Sequence, residues 1–382
     1  MKAEYLIGYV ILIALSAGGF LFARNSETGV SELSGPLAAA INESQASATS
    51  SAKRFLSENQ KMSLYKKSPE LVAPNGYINT NGKPITIEEF KGKKVVLLDI
   101  WTYTCINCQR TFPYLRAWYE TYSSEGLEII GIHTPEFAFE RDINNVSDAV
   151  KKFGLKYPVV LDNEYKTWNA LGNQFWPRKY LVDIDGYIVY DHAGEGNYAE
   201  TESEIRKALA ERDSRLGTTA SSMAESKPQG VIEVKSGGVR SPEIYFGAAR
   251  NEYLGNGAQG SIGVQKLSLP GKVSDNTLYL GGSWNIQKEY SENNENGTRI
   301  VFKYSAKNVY FVASADKPVT ITVLRDGVPI TDERGVDVDS TGRVTIGENR
   351  LYHLIGGKDY GEHTIEIKID GVGLQAYTFT FG

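Results

Sequence analysis

Both cysteines of this 382-residue chain lie in one stretch, Trp101-Thr102-Tyr103-Thr104-Cys105-Ile106-Asn107-Cys108. Two thiols three positions apart at the start of a helix can close into a small disulfide ring and open again. A helix N-terminus carries partial positive charge and free N–H groups, which stabilise a thiolate on the first sulfur. Cys105 is therefore the expected nucleophile. Cys108, one turn deeper and facing inward, is the expected resolving thiol that breaks a mixed disulfide. A permanently closed structural disulfide is the weaker alternative, because small strained rings are usually the labile ones. Zinc is disfavoured as well. A tetrahedral site needs four ligands, and beyond the two Cys the chain offers only His133, His192, His353 and His363, which are scattered. Neither a metal nor an organic cofactor is expected, since dithiol exchange passes electrons directly between sulfurs.

The elements needed to hold such a pair are readable around it. Val95–Trp101 (VVLLDIW) is short, continuously apolar and broken by one acid, which predicts a central strand. Phe112, Leu115, Trp118 and Tyr122 recur three or four apart, predicting a helix from Cys105–Cys108 that stops at Gly126. Leu127–Ile132, Tyr157–Leu161, Lys179–Ile184 and Tyr187–Asp191 read as further strands. A second amphipathic helix carries Ile143, Val146, Val150 and Phe153. Asp185-Gly186 reads as a hairpin turn, since both residues tolerate positive φ. Thr201 and Glu204 read as a capping box opening a last helix that ends near Glu211. The alternation of strands and helices defines an α/β domain over 71–215.

The rest of the chain is different in kind. Residues 5–23 (YLIGYVILIALSAGGFLFA) carry no charge and are long enough to cross a hydrocarbon core of roughly 30 Å as a helix. We read them as an uncleaved membrane anchor, with a cleavable signal peptide as the rival reading. Lys2, Glu4 and Arg24 flank the run too evenly to set its orientation. Residues 24–70, rich in Ser, Ala, Glu and Asn, read as a tether, and 216–238 as a linker. From 239 to 382 the pattern becomes period-two alternation: Arg299–Tyr304, Val309–Ser314, Val319–Leu324, Arg350–Ile355, Thr364–Ile369 and Tyr377–Phe381. Turn pairs such as Asp326-Gly327 and Asp370-Gly371 separate many of them. That predicts an all-β sandwich of jelly-roll type. Its Trp284, Tyr304, Tyr310, Tyr352 and Tyr377 fit a core better than an exposed face for stacking on sugar rings. With 41 basic and 46 acidic residues, a net charge of -5 and no long basic run, nucleic acid is not an expected partner.

A family resemblance emerges from these residues. Asp99-Ile100-Trp101 precedes the first Cys as in the thioredoxin strand, Pro113 stands where the thioredoxin helix is kinked, and Trp176-Pro177 precedes a strand where thioredoxins carry a cis-proline. The added helix and strand between Cys108 and Pro177 resemble the TlpA-like and redoxin branch. The stretches WTYTCINCQR, GIHTPEFAFE, YPVVLDN, WPRKYLVDIDG, GEGNY, SPEIYFG, GVDVD and YTFTFG are similar to the extracytoplasmic part of the DipZ family, over roughly 70–382. The resemblance implies a thioredoxin-like domain followed by a carbohydrate-binding-module-like β domain, a possible glycan partner included. It departs from that family in having one predicted span instead of an electron-conducting membrane domain. A separate membrane electron donor is then implied.

The resemblance also assigns roles. Asp99, a carboxylate in an apolar strand, would take and return the Cys108 proton, with a backbone-bonded strand acid as the alternative. No lysine lies between Leu127 and Glu136 to partner it as thioredoxins often arrange. Pro177 would be cis and present the backbone of Trp176 to substrate. Trp101 and Tyr103 would shape the rim, with core packing an equal reading for Trp101. His133 and Glu136 sit where α/β sites gather and could tune the thiolate, although loop packing is the slightly better reading. The expectation is a membrane-anchored thiol:disulfide oxidoreductase facing outside the cytoplasm and acting on protein disulfides, with reduction favoured by the family link. A thiol peroxidase and a cell-envelope glycan-binding protein with a regulatory dithiol are the alternatives.

Overall fold

Burial dictates where the sheet must lie: every residue of Val95–Trp101 and of Leu127–His133 is buried. In this computed structural model the described residues are 55–218, 224–232, 234 and 237–382. The predicted membrane segment 5–23 and most of the predicted tether lie outside them. Among the described residues no helix is long and apolar enough to cross a membrane. Phe55–Gly382 forms one compact unit.

Helix α1 (Glu58–Leu64) and the short strands β1 (Lys66–Lys67) and β2 (Gly76–Ile78) precede β3 (Val95–Trp101). Then come α2 (Ile106–Tyr122), β4 (Leu127–His133), α3 (Ile143–Lys152), β5 (Val159–Leu161), α4 (Lys166–Leu171), β6 (Arg178–Val182), β7 (Tyr187–Ala193) and α5 (Tyr198–Leu216). The strands order as β1-β7-β6-β3-β4-β5-β2, with β3, β4 and β5 parallel, β6 antiparallel to β3, and β7 antiparallel to β6. Alternation along β3 sends Val95, Leu97 and Trp101 to one apolar layer and Val96, Leu98 and Ile100 to the other, so the sheet is covered on both faces.

Two boundaries differ from expectation. The tether was expected to run to residue 70, yet α1 belongs to the folded unit. Its Lys61 is 1% exposed, with Nζ 2.5 Å from Asp183, 2.8 Å from Asp185 and 2.5 Å from Glu211. A polar composition concealed this contact because the buried group is itself a charge. Helix α5 begins at Tyr198 after a left-handed Asn197, so Thr201 lies inside the first turn, donating its hydroxyl to the Asn197 carbonyl at 3.0 Å, and is no cap. At Asp185-Gly186 only Gly186 takes positive φ.

The second part is β-rich. It comprises β8 (Ile244–Tyr245), β9 (Gly263–Leu267), β10 (Leu278–Ile286), β11 (Ser291–Asn293), β12 (Arg299–Ala315) and β13 (Val319–Arg325). After these come β14 (Val328–Pro329), β15 (Arg343–Ile346), β16 (Arg350–Asp370) and β17 (Leu374–Phe381). They order as β14-β13-β16-β12-β10-β11-β17-β8, with β12 also paired to β17. Two pairs of expected strands are single long ones here. Register shifts after Ala306 and after Val309 let β12 and β16 pass through polar stretches that read as turns. Trp284, Tyr304 and Tyr352 fill the core, and Tyr310 and Tyr377 are 4% and 5% exposed, so none of the five offers an open stacking face.

Candidate functional site

Strand β3 delivers the chain to the dithiol, and the first turn of α2 shapes it. Cys105 is the N-cap of α2, half-buried, and its Sγ accepts the Cys108 backbone N–H at 3.2 Å. Cys108 is buried beneath it, and both are free thiols. The donated N–H and the helix dipole stabilise negative charge on Cys105. Burial pushes the Cys108 thiol well up, and the neighbouring Cys105 and Asp99 push in the same direction. One sulfur is therefore presented and the other held back as a protonated thiol.

Asp99 is 1% exposed, and neither of its oxygens has a hydrogen-bond partner. Burial raises its carboxyl to about 7, against an opposing pull from Lys179. The expectation of no partner lysine holds for Leu127–Glu136, but the lysine comes from another strand. Lys179 stands opposite Asp99 in the β3/β6 register, fully buried, with Nζ 5.7 Å from the Tyr198 ring centroid. Sequence alone does not show it because Lys179 meets Asp99 only through the pairing of β6 with β3. The available signal was period-two alternation in Arg178–Val182, which puts Lys179 on the face of apolar Leu181.

The remaining expected residues separate into two groups. The Trp176–Pro177 peptide bond is cis, and half-buried Trp176 donates Nε1 to the Thr134 carbonyl at 3.1 Å. Phe175 beside it is 52% exposed. Trp101 is not on a rim: it is completely buried, 5.2 Å edge-on to Phe112 and 4.8 Å from His133. It fits there because Gly131 carries no Cβ; one would come within 2.8 Å of the Trp101 indole nitrogen. Tyr103 is also buried, and its hydroxyl donates to the Asn349 carbonyl of the β-rich part at 3.1 Å. His133 is buried completely, and desolvation lowers its imidazole to about 3, so no charged imidazole reaches the thiols at neutral pH. Glu136 accepts from Tyr245 at 2.9 Å and from Arg250 at 2.8 Å, which makes it an anchor between the two parts.

Two further residues escaped the sequence reading. Glu140 is fully buried and accepts the Thr104 hydroxyl at 2.7 Å, the Thr104 N–H at 3.2 Å, and the N–H groups of Glu136 and Phe137 at 2.6 and 3.0 Å. It ties the turn before Cys105 to the loop after β4. Ile106, inside the dithiol ring, is buried with Phe137, Tyr310, Val312, Leu351 and Tyr377, so the β-rich part rests directly on the motif. Arg110 joins this contact, with its guanidinium 5.7 Å from the Tyr310 ring and 3.2 Å from Glu195.

A strand running into a helix that carries a half-open dithiol at its cap, with a cis-proline just before the antiparallel strand paired to it, defines a thioredoxin-like protein. Comparison with known proteins gives the same class. Residues 66–209 match the family described as Redoxin, and residues 241–382 match the family described as Thioredoxin like C-terminal domain. The chain belongs to the thioredoxin-like redoxin family of thiol:disulfide oxidoreductases, and its domain pairing is DipZ-like. It is 34% identical over 316 residues to Protein DipZ of Mycobacterium tuberculosis (strain CDC 1551 / Oshkosh), covering 82% of this chain and 43% of that one. The chain thus spans less than half the length of that relative. It is 32% identical over 153 residues to Thiol-disulfide oxidoreductase ResA of Bacillus anthracis, covering 40% of this chain and 83% of ResA. A solved structure of a putative thiol:disulfide interchange protein DsbE from Chlorobium tepidum is 21% identical, with a TM-score of 0.34, covering 38% of this chain and 96% of that one.

Proposed function

We propose that the chain is a membrane-anchored, extracytoplasmic thiol:disulfide oxidoreductase that reduces protein disulfides. The observation that carries this reading is the asymmetry of the two sulfurs. Cys105 is half-open at the cap of α2 with an N–H on its sulfur, and Cys108 is buried under it beside Asp99.

The Cys105 thiolate attacks one sulfur of a substrate disulfide. That S–S bond breaks, and the other substrate sulfur leaves as a thiolate and is protonated. Cys108 then gives its proton to the Asp99 carboxylate and attacks Cys105 Sγ. The mixed disulfide breaks, the second substrate thiol departs, and a Cys105–Cys108 disulfide remains. Two electrons have passed to the substrate, and a separate dithiol donor must return them. Trp176, with cis-Pro177, offers an extended backbone edge beside Cys105 for the substrate chain. Residues 5–23 supply the anchor, and lipid is the partner they imply. The β-rich part, which we read as a jelly-roll-type sandwich, serves here as a wall beside the dithiol. The burial of its five candidate aromatics gives glycan binding no support among them.

The test is a Cys108→Ser variant offered protein disulfides. It is expected to accumulate mixed disulfides through Cys105, while Cys105→Ser forms none. A glutathione titration is expected to place the wild-type couple closer to thioredoxin, about -270 mV, than to DsbA. A value near DsbA's, about -120 mV, overturns the reductive direction. Failure of Cys108→Ser to trap any protein overturns the activity.

A further inference from the structure

Residues on both sides of Cys105 are held by the β-rich part. Ile106, the next residue, is 5% exposed and packs with Tyr310, Val312, Leu351 and Tyr377. Tyr103, shortly before it, is buried as well, and its hydroxyl donates to the Asn349 carbonyl at 3.1 Å. Further along α2, buried Arg110 lies over the Tyr310 ring. From Trp101 to Cys108 only Cys105 and Asn107 escape full burial.

The contact has an apolar centre and a polar rim, the build of a docked interface. At the centre, Ile106 and Phe137 meet the apolar side chains of the β-rich part. At the rim, Glu136 accepts from Tyr245 at 2.9 Å and from Arg250 at 2.8 Å, and the Ala138 N–H donates to Glu289 at 2.8 Å. An open space of about 970 Å³ lies at the same junction, but neither cysteine lines it. It therefore provides no route to the dithiol.

Distances then decide what can reach Cys105. Consecutive Cα atoms are about 3.8 Å apart, so the residue under the cover is that close to the attacking cysteine. A disulfide holds its two Cα atoms roughly 4.4–6.8 Å apart. In the mixed disulfide the substrate backbone must therefore come nearly as close to Cys105 as covered Ile106 is. A protein whose cysteine lies flush with a broad surface would drive that surface into the β-rich part. A cysteine on an extended, projecting segment meets no such obstacle.

We infer that the β-rich part is a steric selector docked on Ile106, which rejects disulfides lying flush in folded proteins and admits those on extended, projecting segments. It selects by clash and not by attraction. The inference rests on the dithiol activity proposed above and adds its substrate class. The test offers the full chain three disulfides. One is bis(2-hydroxyethyl) disulfide, too small to meet the cover. The others are the disulfide homodimer of a short unstructured peptide with one Cys, and that of a globular protein with one Cys on a flat helix face. Each rate is scaled to that substrate's rate with dithiothreitol, which removes differences in intrinsic reactivity. The double variant Phe137→Ala/Leu351→Ala takes two buried side chains out of the junction and leaves the dithiol itself untouched.

The unaltered chain is expected to favour the peptide over the globular dimer by about tenfold in scaled kcat/KM. The double variant is expected to bring that ratio to about threefold or less, while the small disulfide reacts as before. Leu351→Ala alone serves if the double variant does not fold, with a smaller fall in the same direction. Equal scaled rates for peptide and globular dimer in the unaltered chain overturn the selector and leave the dithiol activity standing. So does a preference that stays the same in the loosened chain. An unaltered chain that leaves the small disulfide intact overturns the dithiol activity, and the selector with it.

Discussion

Asp99 faces Lys179 across the antiparallel pair of β3 and β6, both fully buried, and none of their charged atoms has a hydrogen-bond partner. Two opposite charges share a dry layer under the dithiol, close enough to influence each other but not bonded. Burial dominates, raising the Asp99 carboxyl to about 7 and lowering the Lys179 ammonium. That is a useful poise for a group meant to accept a proton from a thiol near neutral pH.

The same poise fixes a pH dependence. An unfolded Asp titrates at about 3.9, whereas folded Asp99 titrates at about 7. Between those values the folded state holds the extra proton, so this group's contribution is full below the unfolded value and declines as pH rises toward 7. Asp99→Asn is expected to remove that slope and to stabilise the protein above pH 7 by a few kcal/mol, up to about 4. It is also expected to slow the resolving step. Urea unfolding at pH 5 and pH 8 with stopped-flow exchange checks both. A variant equally stable at the two pH values relative to wild type sinks the assignment. Lys179→Met is expected to move the inflection of the exchange rate upward in pH, because the opposing charge is gone.

The centre of the fold was legible because local signals agreed there. Val95–Trp101 is a strand by composition, Cys105 opens a helix by position, and the spacing of Phe112, Leu115 and Trp118 places the apolar face of that helix. Legibility failed where a residue's role depends on a distant partner. Lys61 falls in the expected tether and Lys179 in an expected strand, yet Lys61 is held by Asp183, Asp185 and Glu211, and Lys179 is buried opposite Asp99. Tyr103 reads as rim because it adjoins the motif, but its bond to Asn349 draws it inward; for Trp101, where rim and core were equal readings, the space left by Gly131 makes it core. Ile106 could not be seen as an interface residue, since the domain that covers it begins more than a hundred positions later.

Glu140 should matter more for architecture than its place in a loop suggests. Four donors converge on its carboxylate, two of them from Thr104 beside Cys105. Glu140→Ala leaves those donors unsatisfied in a dry site, at about 3 kcal/mol or more. Glu140→Gln keeps an acceptor and is expected to cost less than half of that. Burial raises the Glu140 carboxyl to about 7, so the penalty of Glu140→Ala has its own pH dependence. Thermal unfolding of the two variants decides the matter, and an Ala variant as stable as Gln refutes the hub.

His133 is expected to be silent across the physiological range. Desolvation holds its imidazole near 3, far below the ordinary value of about 6.5. NMR titration should show no imidazole transition for His133 between pH 5 and 8. His133→Asn should leave the shape of the pH–rate profile as it is, changing stability instead. An inflection near pH 6.5 that vanishes in His133→Asn contradicts this and restores a direct role near the thiolate.

The junction between the two parts can be apportioned by magnitude. Glu136 accepts from Arg250 and Tyr245, but Arg250 is 42% exposed and water screens the pair. An ion pair of that exposure is worth about 1 kcal/mol or less. Phe137 is 1% exposed and stacks edge-on to Tyr377 at 5.1 Å, beside Ile106. Truncating a buried Phe costs about 3–5 kcal/mol. Phe137→Ala should therefore loosen the β-rich part from the dithiol and raise hydrogen exchange at Ile106 and at Ala138, whose amide donates to Glu289 across the junction. Glu136→Gln should change exchange there only slightly. Should Glu136→Gln open the junction more than Phe137→Ala does, polar anchoring rather than apolar burial holds the β-rich part on the motif.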